Sequence, residues 1–188
     1  MKFEKEVITI DKVLNKLDKF VIGFLEVFEK HSDYVLVSGY ISILLGRSRI
    51  SEDVDLLFPE LELEGFKKMH DDLLSSGFWC LNSNDVEELH GLLKSKHSIR
   101  YGMDKNLFPN MEIKFILKPV QKLAFKKRIQ VKLPSRSLWI SALDLQVAFK
   151  EEALGSDKDK EDAEHLRKVF EIDEEKVKYY KQFIKDNG

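Results

Sequence analysis

Apolar residues recur along this chain with two periods, and the switches between them mark the elements. In residues 11–31, "DKVLNKLDKFVIGFLEVFEKH", Val13, Leu14, Leu17, Val21, Phe24, Leu25 and Phe28 fall at three- and four-residue spacing. That spacing predicts an amphipathic helix with Asp11 as its cap. "YVLVS" (34–38) is rich in β-branched and aromatic residues and too short for a helix, so it predicts a buried strand. "GYISILLG" (39–46) predicts a short helix that opens at Gly39 and closes at Gly46, and "DVDLLF" (53–58) a second strand stopped by Pro59.

A helix follows over 62–75 with Gly77 as its stop, then a short strand at "FWCL", then a helix over 84–96 capped by Asn84. "HSIRY" and "MEIKFILK" (111–118) predict strands separated by the loop "GMDKNLFPN". "PVQKLAFKKRIQ" predicts a short helix, and "VKLPSRSLWIS" extended segments broken by Pro134. From Ala142 the chain reads as helical to its end, with a break near Gly155. The class is α/β (α+β): a small mixed β-sheet flanked by helices, with a helical C-terminal part. A length of 188 residues suits one sizeable core. We therefore expect a single domain over 1–188, its sheet-containing half at about 1–140 and its helical part at about 141–188.

Charge narrows the partners. Lys plus Arg total 31 against 33 Asp plus Glu, a net charge of −2, so no global field draws the chain toward nucleic acid or membrane. Cys80 is the one cysteine, which excludes an intramolecular disulfide framework and suits a reducing compartment. The N-terminal "MKFEKEVITIDK" has no apolar signal-peptide core, and no run reaches the roughly 18 apolar residues of a membrane span. The expectation is a cytoplasmic protein without a membrane partner. The cluster of Lys122, Lys126, Lys127, Arg128 and Lys132 reads as a solvated basic face, or as a guide for an RNA acceptor.

The chemistry concentrates on carboxylates. Along a strand, residues two apart share a face, so Asp53 and Asp55 project side by side while Val54 and Leu56 turn to a core. Carboxylates so close repel unless a cation lies near them. Taken alone, such a pair lies at an exposed strand edge with Arg47 or Arg49 as counter-ions, and those arginines otherwise pair with Glu52. Three features favour a ligand instead. Gly39 follows a strand and opens a helix, which lets a phosphate approach the backbone at the positive helix end. The Gly precedes the Asp pair by only a short helix and turn. Glu112 begins another apolar strand, "MEIKFI", where it could complete a three-carboxylate cage of the hard oxygens that Mg²⁺ takes.

With those residues in view, the chain resembles the polymerase-beta-type nucleotidyltransferase superfamily. "SGYISILLGRSRISEDVDLLF" is most similar to its compact prokaryotic branch, which includes AbiEii-type abortive-infection toxins and archaeal nucleotidyltransferases. "ALDLQVAFKEEALGSDKDKEDAEHL" (142–166) resembles that branch's later segment through Asp144, Leu145, Lys150, Lys158, Asp159 and Asp162. The likeness spans roughly 34–170, with its specific motifs at the two ends. Tyr40 departs from the pattern, since a second small residue commonly follows the motif glycine; a ring there would narrow a phosphate pocket or stack on a base. Glu112 stands where Asp is more usual.

The resemblance implies an enzyme that moves NMP from an NTP to a hydroxyl and releases pyrophosphate. Asp53, Asp55 and Glu112 would ligate two Mg²⁺ ions, with Glu112 also taking the acceptor proton. Ser38, Gly39 and Tyr40 would line the nucleotide site, with Arg47, Arg49, Lys150 and Lys158 as its cations. Asp162 would orient Lys150 or Lys158. The implied acceptor is RNA or protein, in a toxin–antitoxin setting with a cognate toxin or antitoxin as partner; a small molecule such as an aminoglycoside is a further possibility. The competing expectation is a regulatory module that binds NTP or a partner protein on the same fold without turnover.

Overall fold

The computed structural model describes residues 2–4 and 7–187. In chain order its elements begin β1 (Lys2–Glu4), β2 (Val7–Thr9), α1 (Lys16–Phe28), β3 (Val35–Val37), α2 (Gly39–Leu44), β4 (Asp53–Phe58), α3 (Leu63–Ser75), β5 (Phe78–Cys80) and α4 (Val86–Lys94). They continue with β6 (Ile99–Met103), β7 (Asn110–Phe115), α5 (Pro119–Lys126), β8 (Ile129–Lys132), β9 (Ser137–Ile140) and α6 (Leu143–Phe149). A π-helical turn (Lys150–Leu154), α7 (Asp157–Val169) and α8 (Glu174–Asn187) complete the series. The elements divide into two compact units, each drawn from separate stretches of chain.

The first unit takes in Met1–Lys12, Val35–Ile50 and Lys118–Gly188. Its strands run in the order β1-β2-β8-β9-β3. β1 pairs antiparallel with β2, β2 parallel with β8, β8 antiparallel with β9, and β9 parallel with β3. Helix α6 packs on α7 and α8, and α2 packs on α7. Leu36, Ile41, Val131, Ile140, Val147, Ala148 and Leu166 are buried here, which is why "VLV" and "SLWI" pair as strands and why the tail is fixed rather than free. The C-terminal helices thus share a unit with five strands, and none of the unit boundaries falls near residue 140.

The second unit takes in Val13–Tyr34 and Ser51–Leu117, with strands in the order β4-β7-β6-β5. β4 and β7 are parallel, and β6 runs antiparallel to both β7 and β5. Its core is aromatic: Phe28 meets Phe58 edge-on at 5.2 Å between centroids, Phe58 meets Phe115 at 4.9 Å, and Phe24 meets Phe78 at 5.2 Å. Such pairs contribute about 0.5–1.5 kcal/mol each beyond their buried area. The Phe28 and Phe24 contacts hold α1 to one face of the strands, and the opposite face carries Asp53, Asp55, Asn110, Glu112 and Lys114.

Three local expectations change. Helix α1 starts at Lys16, not near Asp11, because Asn15 accepts from the Asp18 amide at 2.8 Å while its own amide donates to Asp18 Oδ2 at 2.9 Å. This reciprocal box leaves Val13 outside the helix and 95% exposed. Helix α4 is capped by Asp85 rather than Asn84, since the Asp85 carboxylate takes the amides of Glu87 and Glu88. The segment "RIQ" lies outside helix α5, and its Ile129 and Gln130 begin β8, where Ile129 and Val131 reach the core that a longer helix would deny them.

Candidate functional site

Strand β4 carries Asp53 and Asp55 with a burial pattern that alternates through Val54 and Leu56, so both carboxylates lie on the polar face. Parallel pairing sets Asp53 against Asn110 and Asp55 against Glu112 on β7. In a parallel ladder paired residues face the same way, so Asp53, Asp55, Asn110, Glu112 and Lys114 form one charged face. β6 adds Arg100, which is in register with Glu112.

The contacts on this face are specific. Lys114 Nζ lies 2.5 Å from Glu112 Oε1 and 3.5 Å from Asp55 Oδ1. Arg100 donates to Glu112 Oε2 from Nε at 2.8 Å and from its terminal nitrogen at 2.5 Å. Burial alone would raise the Glu112 carboxyl, but Lys114 and Arg100 outweigh it and hold that group below its ordinary range. Burial likewise pulls the Lys114 ammonium down, and Asp55 and Glu112 outweigh it, so the ammonium is held above its ordinary range. Asp53 makes no ion pair among the described residues. Beside it Asn110 is buried, with its Oδ1 lacking any hydrogen-bond partner.

This donor set fits a hard cation in part. Asp53 and Asp55 present partly exposed carboxylates on one face, and Oδ1 of the neighbouring Asn110 has no hydrogen-bond partner. The expected three-carboxylate cage is not assembled. Both Glu112 oxygens are taken by Lys114 and Arg100, and no group of three or more His, Cys, Asp or Glu converges as a metal site among the described residues. Glu112 is for the same reason a poor proton acceptor. Lys114 and Arg100 were not singled out in the sequence. Alternation in "MEIKF" puts Lys114 on the Glu112 face, whereas only the strand register reveals that Lys114 also reaches Asp55.

The other expected residues lie in the first unit. Ser38 stands before α2 with φ 66° and ψ −139°, a conformation that favours glycine, and its side chain makes no capping hydrogen bond. Tyr40 is fully buried, so its ring offers no face to a base, which corrects the stacking expectation. Among the described residues the ion pairs of Arg47 and Arg49 go to α7. Arg47 donates to Asp162, to Glu161 and to the Lys158 carbonyl, and Arg49 lies 3.3 Å from Asp162 Oδ2. Arg49 keeps a buried Nε with no partner.

Lys150 is not a solvated lysine. It has no exposed surface, and its Nζ donates to Asp162 Oδ2 at 2.6 Å, with Asp159 at 3.4 Å. Its ammonium is thus ion-paired within the first unit. Asp162, equally buried, gathers three cations: Lys150, Arg47 and Arg49. The Lys158 side chain is exposed on α7.

No family model matches the chain, and no curated protein matches it in sequence. Solved structures do. The crystal structure of the lincomycin-bound lincosamide antibiotic adenylyltransferase LnuA is 14% identical, with a TM-score of 0.56 over 81% of this chain and 98% of that one. The solution structure of the antibiotic-resistance factor ANT(2'')-Ia is 12% identical, with a TM-score of 0.59 over 89% of this chain and 90% of that one. No described helix is long and apolar enough to cross a membrane. At these identities the likeness speaks for architecture, and the chain has the nucleotidyltransferase fold.

Proposed function

We propose that the protein is a Mg²⁺-dependent nucleotidyltransferase that moves NMP from an NTP to a hydroxyl acceptor. The observation that carries this reading is the placement of Asp53 and Asp55 on one polar face of β4, within a nucleotidyltransferase fold. The acceptor oxygen forms a bond to the α-phosphorus as the bond from that phosphorus to the bridging oxygen breaks, and pyrophosphate leaves. Asp53 and Asp55 would hold a divalent ion, which would supply charge neutralisation for the phosphate. Both Glu112 oxygens are engaged by Lys114 and Arg100, so Glu112 would need to exchange a partner before taking the acceptor proton.

The resemblance carries Ser38 and Gly39 as nucleotide-site residues, and in the first unit the Ser38 hydroxyl makes no capping hydrogen bond. Arg49 is carried as a nucleotide cation by the resemblance, and its guanidinium already shares Asp162 with Lys150 and Arg47. Lys150 and Asp162 act as positioning residues that hold Arg47 and Arg49.

The AbiEii-like resemblance supports RNA or protein as acceptor and a toxin–antitoxin partner. The exposed Lys122, Lys126, Lys127 and Lys132 suit an RNA. A second reading, a small hydroxylated acceptor, is supported by coverage of 98% of LnuA, an enzyme that acts on an antibiotic. Incubating protein, Mg²⁺ and each α-³²P NTP with RNA, with cell protein and with hydroxylated antibiotics separates these. Label in one acceptor class identifies it. Binding of Mg-NTP with no label in any class supports the non-catalytic regulatory module instead.

A further inference from the structure

Resting on the nucleotidyltransferase reading, we propose that Leu107 and Phe108, in the loop between β6 and β7, form the surface on which the acceptor lays an apolar face, and that this acceptor is a hydroxylated molecule without phosphate. The loop belongs to the second unit and ends beside the carboxylates of that reading: Asn110, two residues after Phe108, is the register partner of Asp53. Both apolar side chains are more than half exposed, Leu107 at 55% and Phe108 at 56%. Apolar residues scattered singly over a surface are ordinary, whereas two in succession, held in place beside a catalytic pair, make a contact surface.

The loop is built to hold them there. The Asn110 amide donates to the Glu52 carbonyl at 2.9 Å, and its side-chain Nδ2 donates to the Leu107 carbonyl at 3.3 Å and to that of Glu52 at 3.4 Å, which ties the loop to the start of β4. On its other side the Trp79 indole donates to the Asn106 carbonyl at 3.3 Å, and the Asp104 amide to the Gly77 carbonyl at 3.3 Å. Position 102 must be glycine for this path, since a Cβ there would collide with the Asn106 carbonyl oxygen. Asp104 and Lys105 take φ of 52° and 60°, a conformation that residues other than glycine seldom adopt. A loop so fixed loses little freedom when a ligand lands on it, and its apolar pair contributes affinity at small ordering cost. Charge selects the ligand. Glu52, bonded to the loop's end, and Asp104, at its start, are exposed against Lys105, and the second unit carries many more Asp and Glu than Lys and Arg. A polyanion is repelled there, whereas a neutral or cationic molecule with hydroxyl and apolar parts is not. The small hydroxylated acceptor is thereby favoured over RNA.

The test pairs a binding readout with a kinetic one. Methyl, butyl and octyl β-D-glucosides, the last below its micelle concentration, are titrated into isotope-labelled protein, and nuclear magnetic resonance reads the Leu107 and Phe108 signals. Those signals are expected to shift saturably, with affinity rising along the series by up to about fourfold per buried methylene. Phe108→Ser is expected to weaken octyl glucoside about tenfold, and Phe108→Leu, which keeps an apolar side chain, under about threefold. In α-label transfer, octyl glucoside should compete with the acceptor and not with NTP, and Phe108→Ser should raise the acceptor KM about tenfold and spare the NTP KM. Unmoved Leu107 and Phe108 signals, an acceptor KM untouched by Phe108→Ser, or label in RNA alone overturn the proposal and leave nucleotidyl transfer standing. Absence of transfer to every acceptor class, in protein whose loop signals still shift, overturns the nucleotidyltransferase reading and with it the acceptor role of the loop. Both residues are exposed, so the variants are expected to fold, which circular dichroism verifies.

Discussion

Lys150 Nζ lies 2.6 Å from the Asp162 carboxylate, and neither side chain has any exposed surface. An ammonium in that position cannot recover its hydration if its partner is removed. Asp162→Asn, which leaves Lys150, Arg47 and Arg49 without a shared anion, should destabilise the protein by roughly 3–5 kcal/mol in urea unfolding, the usual range for breaking a buried pair. The double variant Lys150→Met/Asp162→Leu should lose less than the single one. A single-variant loss below about 1 kcal/mol contradicts the burial of this pair.

Ser38 has φ 66° and ψ −139°, where a Cβ is unfavourable. Ser38→Gly should relieve that strain and stabilise the protein by about 1 kcal/mol, the lower end for such residues. Ser38→Ala keeps the Cβ and should leave stability nearly unchanged. Both remove the hydroxyl and should weaken Mg-NTP binding. Stability and affinity would then move in opposite directions in the glycine variant. A destabilised Ser38→Gly with unchanged affinity contradicts both roles.

Acid sensitivity is expected at the C-terminal helices. Arg167 hydrogen-bonds Glu151 and, with Lys181 at 2.8 Å from the same carboxylate, holds that carboxyl below its ordinary range. A depressed carboxyl contributes stability that is fully present above its unfolded value of about 4.3 and is lost as pH falls through the folded value. Urea midpoints at neutral pH and near pH 3 measure this. Glu151→Gln should lower the neutral midpoint and flatten the acid limb. An unchanged acid limb removes Glu151 from the explanation.

Much of this was legible in the sequence wherever burial follows a simple period. "DVDLLF" forms a strand over the predicted span because alternation over Asp53–Leu56 matches one polar and one core face. The burial of Lys150 against Asp162 depends on how the π-helical turn after α6 meets α7, which spacing along the chain does not encode. Glu112 was found as an acidic strand residue. Its neutralisation by Arg100 and Lys114 depends on strand register, which one chain's sequence does not encode locally.

The most direct measurement follows the α- and γ-phosphorus separately. Wild type and Asp53→Asn/Asp55→Asn are incubated with Mg²⁺, acceptor and an NTP labelled at either position. The prediction is α-label on the acceptor and γ-label in released pyrophosphate with wild type, with acceptor labelling lowered at least about a thousandfold in the folded double variant, a loss of about 4 kcal/mol in transition-state stabilisation. γ-label on the acceptor, or equal α-label transfer by the double variant, would contradict nucleotidyl transfer at the β4 carboxylates.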